Sequence, residues 1–80
     1  MLSFLYRLIR GYRREHGFPP NIVYLSAFHY RALRENLATF NHEQTENFLQ
    51  LHIVLETEAV HPHVAWQEPR RGYRVVNGMK

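Results

Sequence analysis

The sequence contains six histidines, whose side chains can bind metal ions or transfer protons. Two of them, His61 and His63, are only two residues apart. Side chains two residues apart in an extended segment point the same way, so both imidazoles can face one metal ion. His52 or Glu56 on a neighbouring strand would be further ligands. However, Pro62 disfavours a regular strand between the histidines, and no third and fourth ligand follow at a suitable spacing. The sequence therefore predicts no metal site and no cofactor.

Catalytic groups are also scarce. Ser26 lies at a predicted strand-to-helix turn, but its neighbours Leu25 and Ala27 are not the glycines of the G-x-S-x-G nucleophile motif. A serine just before a helix is a common N-cap, which explains Ser26 without chemistry. The chain has no cysteine and, since all seven acidic residues are glutamates, no aspartate. With no glycine-rich phosphate loop either, the sequence predicts a protein that is not an enzyme.

The charges form three blocks along the chain. Residues 1–38 contain six arginines against two glutamates, a net charge of +4. Residues 39–68 contain five glutamates and no lysine or arginine, a net charge of −5, and residues 69–80 contain three arginines and Lys80, a net charge of +4. Blocks of opposite charge can neutralise one another within one molecule or pair between subunits.

The basic residues are nine arginines and one lysine, which favours planar, bidentate or stacked partners. Arginine beside aromatic rings is typical of surfaces that bind nucleic acid, and both the first helix and the C-terminal segment combine the two. The acidic middle of the chain argues against a plain nucleic-acid binder. Nucleic-acid binding through the arginine face of helix one and the basic C-terminal segment is therefore the alternative function.

The first helix is expected after Ser3, a suitable N-cap, and should end at Gly17 before Pro19-Pro20. Its apolar residues recur at helical spacing and form one stripe: Phe4, Leu5, Leu8, Ile9 and Tyr12. Arginines occupy the opposite face: Arg7, Arg10, Arg13 and Arg14.

Two further helices are expected. Ser26 should cap a helix over about 27–37, with Phe28 and Leu33 among its buried residues. Asn41 and Gln44 have the spacing of a capping box, which predicts a short helix over about 42–49.

Strands are predicted over 22–25, 52–57 and 63–67, with a possible fourth over 73–76. The first is apolar on both faces and should lie inside the sheet, parallel to the second, with the second and third forming an antiparallel hairpin. The order is α-β-α-(α)-β-β. This predicts an α+β domain over 1–80, with a small mixed sheet of three to four strands and two main helices packed on one face. The last segment, 69–80, is expected to be a basic tail that can be flexible.

A small sheet with helices on one side leaves its other face available for contact. The sequence therefore predicts a non-enzymatic protein–protein interaction or self-associating module, acting as a homodimer or with a larger protein. The candidate interaction residues are Arg7, Arg10, Arg14, His52, Glu56, His63, Trp66, Arg70 and Arg71. No window approaches the ~20 apolar residues of a membrane span, so we expect a cytoplasmic protein without a membrane partner.

Overall fold

The computed structural model describes residues 1–68, and residues 69–80 lie outside the described part of the chain. Its elements follow in the order α1 (Leu2–His16), β1 (Ile22–Leu25), α2 (Ala27–Asn36), α3 (His42–Leu49), β2 (His52–Leu55) and β3 (His63–Ala65). The predicted α+β fold is confirmed, with three helices and a mixed sheet of three strands in residues 1–68. The possible fourth strand over 73–76 and the basic tail fall outside the described residues.

β1 is the central strand of the sheet, whose order is β2-β1-β3. It pairs in parallel with β2, which places Val23 opposite Ile53, as the predicted crossover requires. It pairs antiparallel with β3 on its other side, where Val23 lies opposite Val64. The predicted hairpin of β2 and β3 is therefore wrong. A hairpin would have left the strand that is apolar on both faces at an edge of the sheet, and β3 instead covers that edge.

α1 begins two residues earlier than predicted, and Ser3 does not cap it. Met1 is in the N-cap position and offers no side-chain cap. Instead, the Leu2 N–H donates a hydrogen bond to Asn36 Oδ1 at 3.1 Å, from the last residue of α2. Gly17 ends the helix as predicted, in the left-handed conformation at a φ of 84°.

The predicted caps of α2 and α3 are both present. Ser26 Oγ accepts a hydrogen bond from the His29 N–H at 3.1 Å. Asn41 Oδ1 accepts one from the Gln44 N–H at 2.8 Å, and Gln44 Oε1 accepts one from the Asn41 N–H at 2.9 Å. The segment therefore begins a helix at His42, where the capping box predicts it.

The core lies on one face of the sheet, and each helix contributes one leucine to it. Leu5 of α1, Leu33 of α2 and Leu49 of α3 pack in one cluster with the remaining core residues, Val23, Leu25, Leu51 and Ile53. The prediction that Phe28 is buried is wrong, since its side chain is 76% exposed. Phe28 precedes Leu33 by five residues, which places it about 140° away around the axis of α2.

Candidate interaction surface

The face of the sheet opposite the core consists of alternate residues of the three strands. The strand register places six residues there, which we call the outer face: Ile22, Tyr24, His52, Val54, His63 and Ala65. None of the six belongs to the core cluster or packs against it. Even Ile22, which is only 6% exposed, stands apart from that cluster. The core residues of the three described helices therefore pack on the other face. On the outer face, His52 and His63 are exposed, Tyr24, Val54 and Ala65 are half-buried, and only Ile22 is closely covered.

Tyr24 and His63 form the centre of one half of the outer face. They are cross-strand neighbours on β1 and β3, and their rings stack with centroids 4.8 Å apart at an interplanar angle of 22°. The His63 Nδ1 also lies 3.4 Å from the carbonyl oxygen of His61. The stacked pair presents a flat, partly apolar patch with polar atoms at its margin.

The histidines considered as metal ligands do not converge. His52 is on β2 and His63 is on β3, so the central strand separates them by about two interstrand spacings, on the order of 10 Å. Among residues 1–68, no group of three or more His, Cys, Asp or Glu side chains is arranged to hold a metal ion.

A groove of about 740 Å³ borders the other half of the outer face. Its floor includes the apolar residues Ile22, Leu51 and Val54. Its walls carry four amides and two carboxylates, from Asn21, Asn47, Gln50 and Gln67 and from Glu46 and Glu68. His52 also lines this groove, but no arginine or lysine of residues 1–68 does, so we call it the acidic groove.

The chain leaving β3 builds one wall of the acidic groove. The Gln67 N–H donates to Asn21 Oδ1 at 2.8 Å, and Asn21 Nδ2 donates to the Gln67 carbonyl oxygen at 2.7 Å. The Asn21 side chain thus pairs with the Gln67 backbone as a neighbouring strand would. This reciprocal pair holds the chain beside β1 beyond the last residue of β3, up to the groove residue Glu68.

Glu46 joins α3 to the edge of β2. The Glu46 Oε2 accepts a hydrogen bond from the Ile53 N–H at 2.7 Å. That N–H faces away from β1, because N–H groups alternate in direction along a strand and those of His52 and Glu56, one and three residues away, donate to the carbonyl oxygens of Asn21 and Leu25. A carboxylate at this place blocks the addition of another strand to β2.

Two imidazoles also approach the same Glu46 oxygen. His42 Nε2 lies 3.4 Å from Oε2, and His52 Nδ1 lies 3.6 Å from it. The Tyr30 hydroxyl is 2.7 Å from the other ring nitrogen of His42, which orients that ring towards the carboxylate. Reasoning from the sequence missed Glu46. The spacing of four residues between His42 and Glu46 on one helix was the only signal that pointed to it.

Three of the four arginines predicted on one face of helix one line the same groove. Arg7, Arg10 and Arg14 line a shallow groove of about 480 Å³ on α1, and the Arg7 guanidinium carbon is 6.0 Å from the Phe4 ring centroid. We call these three side chains the arginine face. None of the salt bridges among residues 1–68 involves an arginine.

Other predicted residues lie elsewhere. Trp66 is 47% exposed and packs edge-to-face against Phe18, with ring centroids 6.0 Å apart, so it belongs to an aromatic cluster past the end of α1. Glu56 is an exposed residue directly after β2. Arg70 and Arg71 fall outside the described residues.

Comparison with known protein families, curated proteins and solved structures finds no match to this chain. Its surfaces must therefore carry the functional argument. Over residues 1–68, no helix combines the length and apolar character needed to cross a bilayer. What the described residues offer is a sheet face outside the core cluster, with an acidic groove beside it, and an arginine face on α1.

Proposed function

We propose that this protein is a non-enzymatic interaction module that associates with a second copy of itself through the outer face. The observation that carries the proposal is the one-sided core. The leucines of all three helices pack against the other face of the sheet, and Tyr24 and His63 are left uncovered by them. An aromatic centre with a polar margin is typical of protein–protein contacts.

Two further arguments support contact between faces of two copies. A domain of this length buries only roughly 60–65% of the surface of its unfolded chain, so association adds burial that the monomer lacks. Association by strand pairing at β2 is disfavoured, because Glu46 already occupies the outward-facing N–H of Ile53. Apposed outer faces related by a two-fold axis would bring Tyr24 and His63 of both copies together.

Replacing Tyr24 should weaken this association. We expect the native protein to approach twice its mass of 9.6 kDa in light scattering as its concentration rises. The Tyr24→Ala variant should raise the dimer dissociation constant at least about tenfold, or 1.4 kcal/mol, because it removes an aromatic contact at the centre of the interface.

Tyr6→Ala is the matched control, since Tyr6 is a half-exposed tyrosine on α1 and not on the sheet. It should leave the dissociation constant unchanged. Circular dichroism would show that both variants are folded. If Tyr24→Ala is not folded, Tyr24→Leu would replace it, because leucine keeps an apolar side chain on the strand but removes the aromatic ring. A native protein that stays monomeric at all concentrations, or equal effects of the two alanine variants, would contradict the proposal.

Nucleic-acid binding is the second candidate function, and the arginine face is the observation that favours it. Three guanidinium groups share one groove with an aromatic ring, and no salt bridge within residues 1–68 engages them. Phosphate groups and unstacked bases are the partners that such a surface suits.

Fluorescence anisotropy with a labelled single-stranded RNA would test this candidate. Affinity should fall steeply between 50 and 200 mM salt, and Arg10→Gln should reduce the slope of log K against log salt by about 0.7–0.9, as expected for one lost phosphate contact. Arg31→Gln, an exposed arginine of α2, should leave the slope unchanged. Absence of binding at the lower salt concentration, or equal slopes for both variants, would exclude nucleic acid as the partner.

The cytoplasmic location also remains a proposal. The lack of cysteine supports it, because such a chain depends on no disulfide bond and suits a reducing compartment.

A further inference from the structure

The acidic groove has the chemistry of a site for an extended, basic peptide. Its apolar floor offers contact to an apolar side chain mainly at the half-buried Val54, because Ile22 and Leu51 are only 6% and 4% exposed. The amides of its walls can bond the polar backbone of a peptide. Its carboxylates can pair with cations, at Glu68 and at Glu46, although Glu46 Oε2 already accepts the Ile53 N–H. A small apolar ligand would leave most of these polar groups without partners.

The described part of the chain ends in this groove. Glu68 is both the last described residue and a groove-lining residue. The hydrogen bonds between Asn21 and Gln67 hold the backbone immediately before it. The segment 69–80 therefore starts at the groove itself, and its twelve residues can reach up to about 40 Å when extended. A ligand tethered this closely binds at an effective concentration in the millimolar range, so even weak contacts suffice.

The net charges of residues 1–68 and of residues 69–80 are opposite in sign. Residues 1–68 carry six arginines and seven glutamates, a net charge of −1, whereas residues 69–80 carry a net charge of +4. The basic segment also contains Tyr73, Val75 and Val76, which suit an apolar floor. Three of its four cations are arginines, whose planar guanidinium groups pair with carboxylates by two parallel hydrogen bonds.

We propose that the acidic groove is a binding site for an extended basic segment, and that residues 69–80 of the same chain occupy it. The segment covers the half of the outer face next to β2 and leaves Tyr24 and His63 free for a partner. The proposal does not depend on the homodimer, because a monomer can make the same contact. Arg70 and Arg71, predicted as interaction residues, then act within their own molecule.

The absence of cysteine permits a direct test on the full chain. A nitroxide attached to the thiol of a Met79→Cys variant is the only spin label in the molecule. In ¹H–¹⁵N spectra, we expect the amide signals of Ile22, Leu51 and Val54 to lose at least half of their intensity relative to the reduced label. The signal of Phe28, on the outward side of α2, should keep its intensity.

Charge variants of the labelled chain provide the controls. Arg70→Glu with Arg71→Glu should restore the groove signals at least twofold, and so should Asn47→Lys, which places a cation on the groove wall. Combining Arg71→Glu with Asn47→Lys should bring the broadening back, because the new glutamate of the segment can then pair with the new lysine of the groove wall. Thermal melting would show that each variant is folded.

Three results would overturn the proposal. The first is equal broadening at Phe28 and in the groove, and the second is broadening that none of the charge variants changes. The third comes from a mixture of two chains, one that carries the nitroxide but no ¹⁵N and one that carries ¹⁵N but no nitroxide. Broadening of the groove signals in this mixture would mean that the segment binds to another copy. The Tyr24→Ala variant should show the same intramolecular broadening as the native chain, so the outcome is independent of the homodimer.

Discussion

Leu33→Ala should lower the free energy of unfolding by about 3–4 kcal/mol, a large share of the stability of a domain this small. Leu33 is 0% exposed and lies in the cluster that joins Leu5 of α1 to Val23 of β1. Truncation would remove apolar contacts from all of these neighbours and leave a cavity that the packed elements can only partly close. Urea unfolding followed by circular dichroism would measure the loss as a shift of the midpoint at constant slope.

Leu55→Ala is the matched control, because it deletes the same atoms from a leucine that is 53% exposed. Leu55 shares the core face of β2 with Ile53 but lies at the end of the strand, outside the core cluster. Its truncation should cost about 1 kcal/mol, in proportion to the smaller area that it buries. Equal losses for the two variants would mean that α2 does not pack on the sheet through Leu33.

Local signals in the sequence were enough to predict most of the elements. Ile22–Leu25 is apolar on both faces, and the strand is indeed central. Gly17, Ser26 and the pair Asn41 and Gln44 act through backbone groups no more than four residues away, so their effect can be read without the tertiary structure. For the same reason the ends of α1, α2 and α3 were predicted to within about two residues.

Features that depend on distant contacts could not be predicted in this way. β3 could pair with either β1 or β2, and the choice depends on which edge gains more from being covered. The cap on Leu2 comes from Asn36, which is 34 residues away. Phe28 was taken as buried because it is apolar, although its angle around the axis from Leu33 already places it on the outer side of the helix.

The candidate surface was predicted only in part, because some of its residues follow from local spacing and others are brought together only by the fold. Alternation along the second strand predicted His52 on the face opposite Ile53, but it left open whether His63 and Ala65 or Val64 and Trp66 share that face. Helical spacing brought Arg7, Arg10 and Arg14 together. The acidic groove was missed, because its residues come from three separate stretches around 21, 46–54 and 67–68. Only the fold brings those stretches together, and charge patterning shows no more than their shared acidic character.

Glu46→Ala should destabilise the protein by about 2 kcal/mol, and it should also expose the edge of β2. Glu46 accepts a hydrogen bond from the N–H of Ile53, a residue that is only 7% exposed. Water can therefore replace this hydrogen bond only poorly. Glu46→Gln keeps an acceptor of the same shape and should cost less than about 1 kcal/mol, which separates the hydrogen bond from the charge. Glu43→Ala removes an exposed carboxylate from the first turn of the same helix and should cost only about 0.3–1 kcal/mol, through the helix dipole.

Hydrogen exchange provides a local measurement of the same effect. In Glu46→Ala, the Ile53 amide should exchange at least tenfold faster than in Glu46→Gln, because its acceptor is gone. Sedimentation velocity should also show larger species in Glu46→Ala alone, because an uncapped edge strand is a template for pairing with another chain. If Glu46→Ala instead matched Glu43→Ala in stability, in Ile53 exchange and in size, the carboxylate would not protect the edge of β2. Strand addition at that edge would then have to be considered alongside the outer face as the route of self-association.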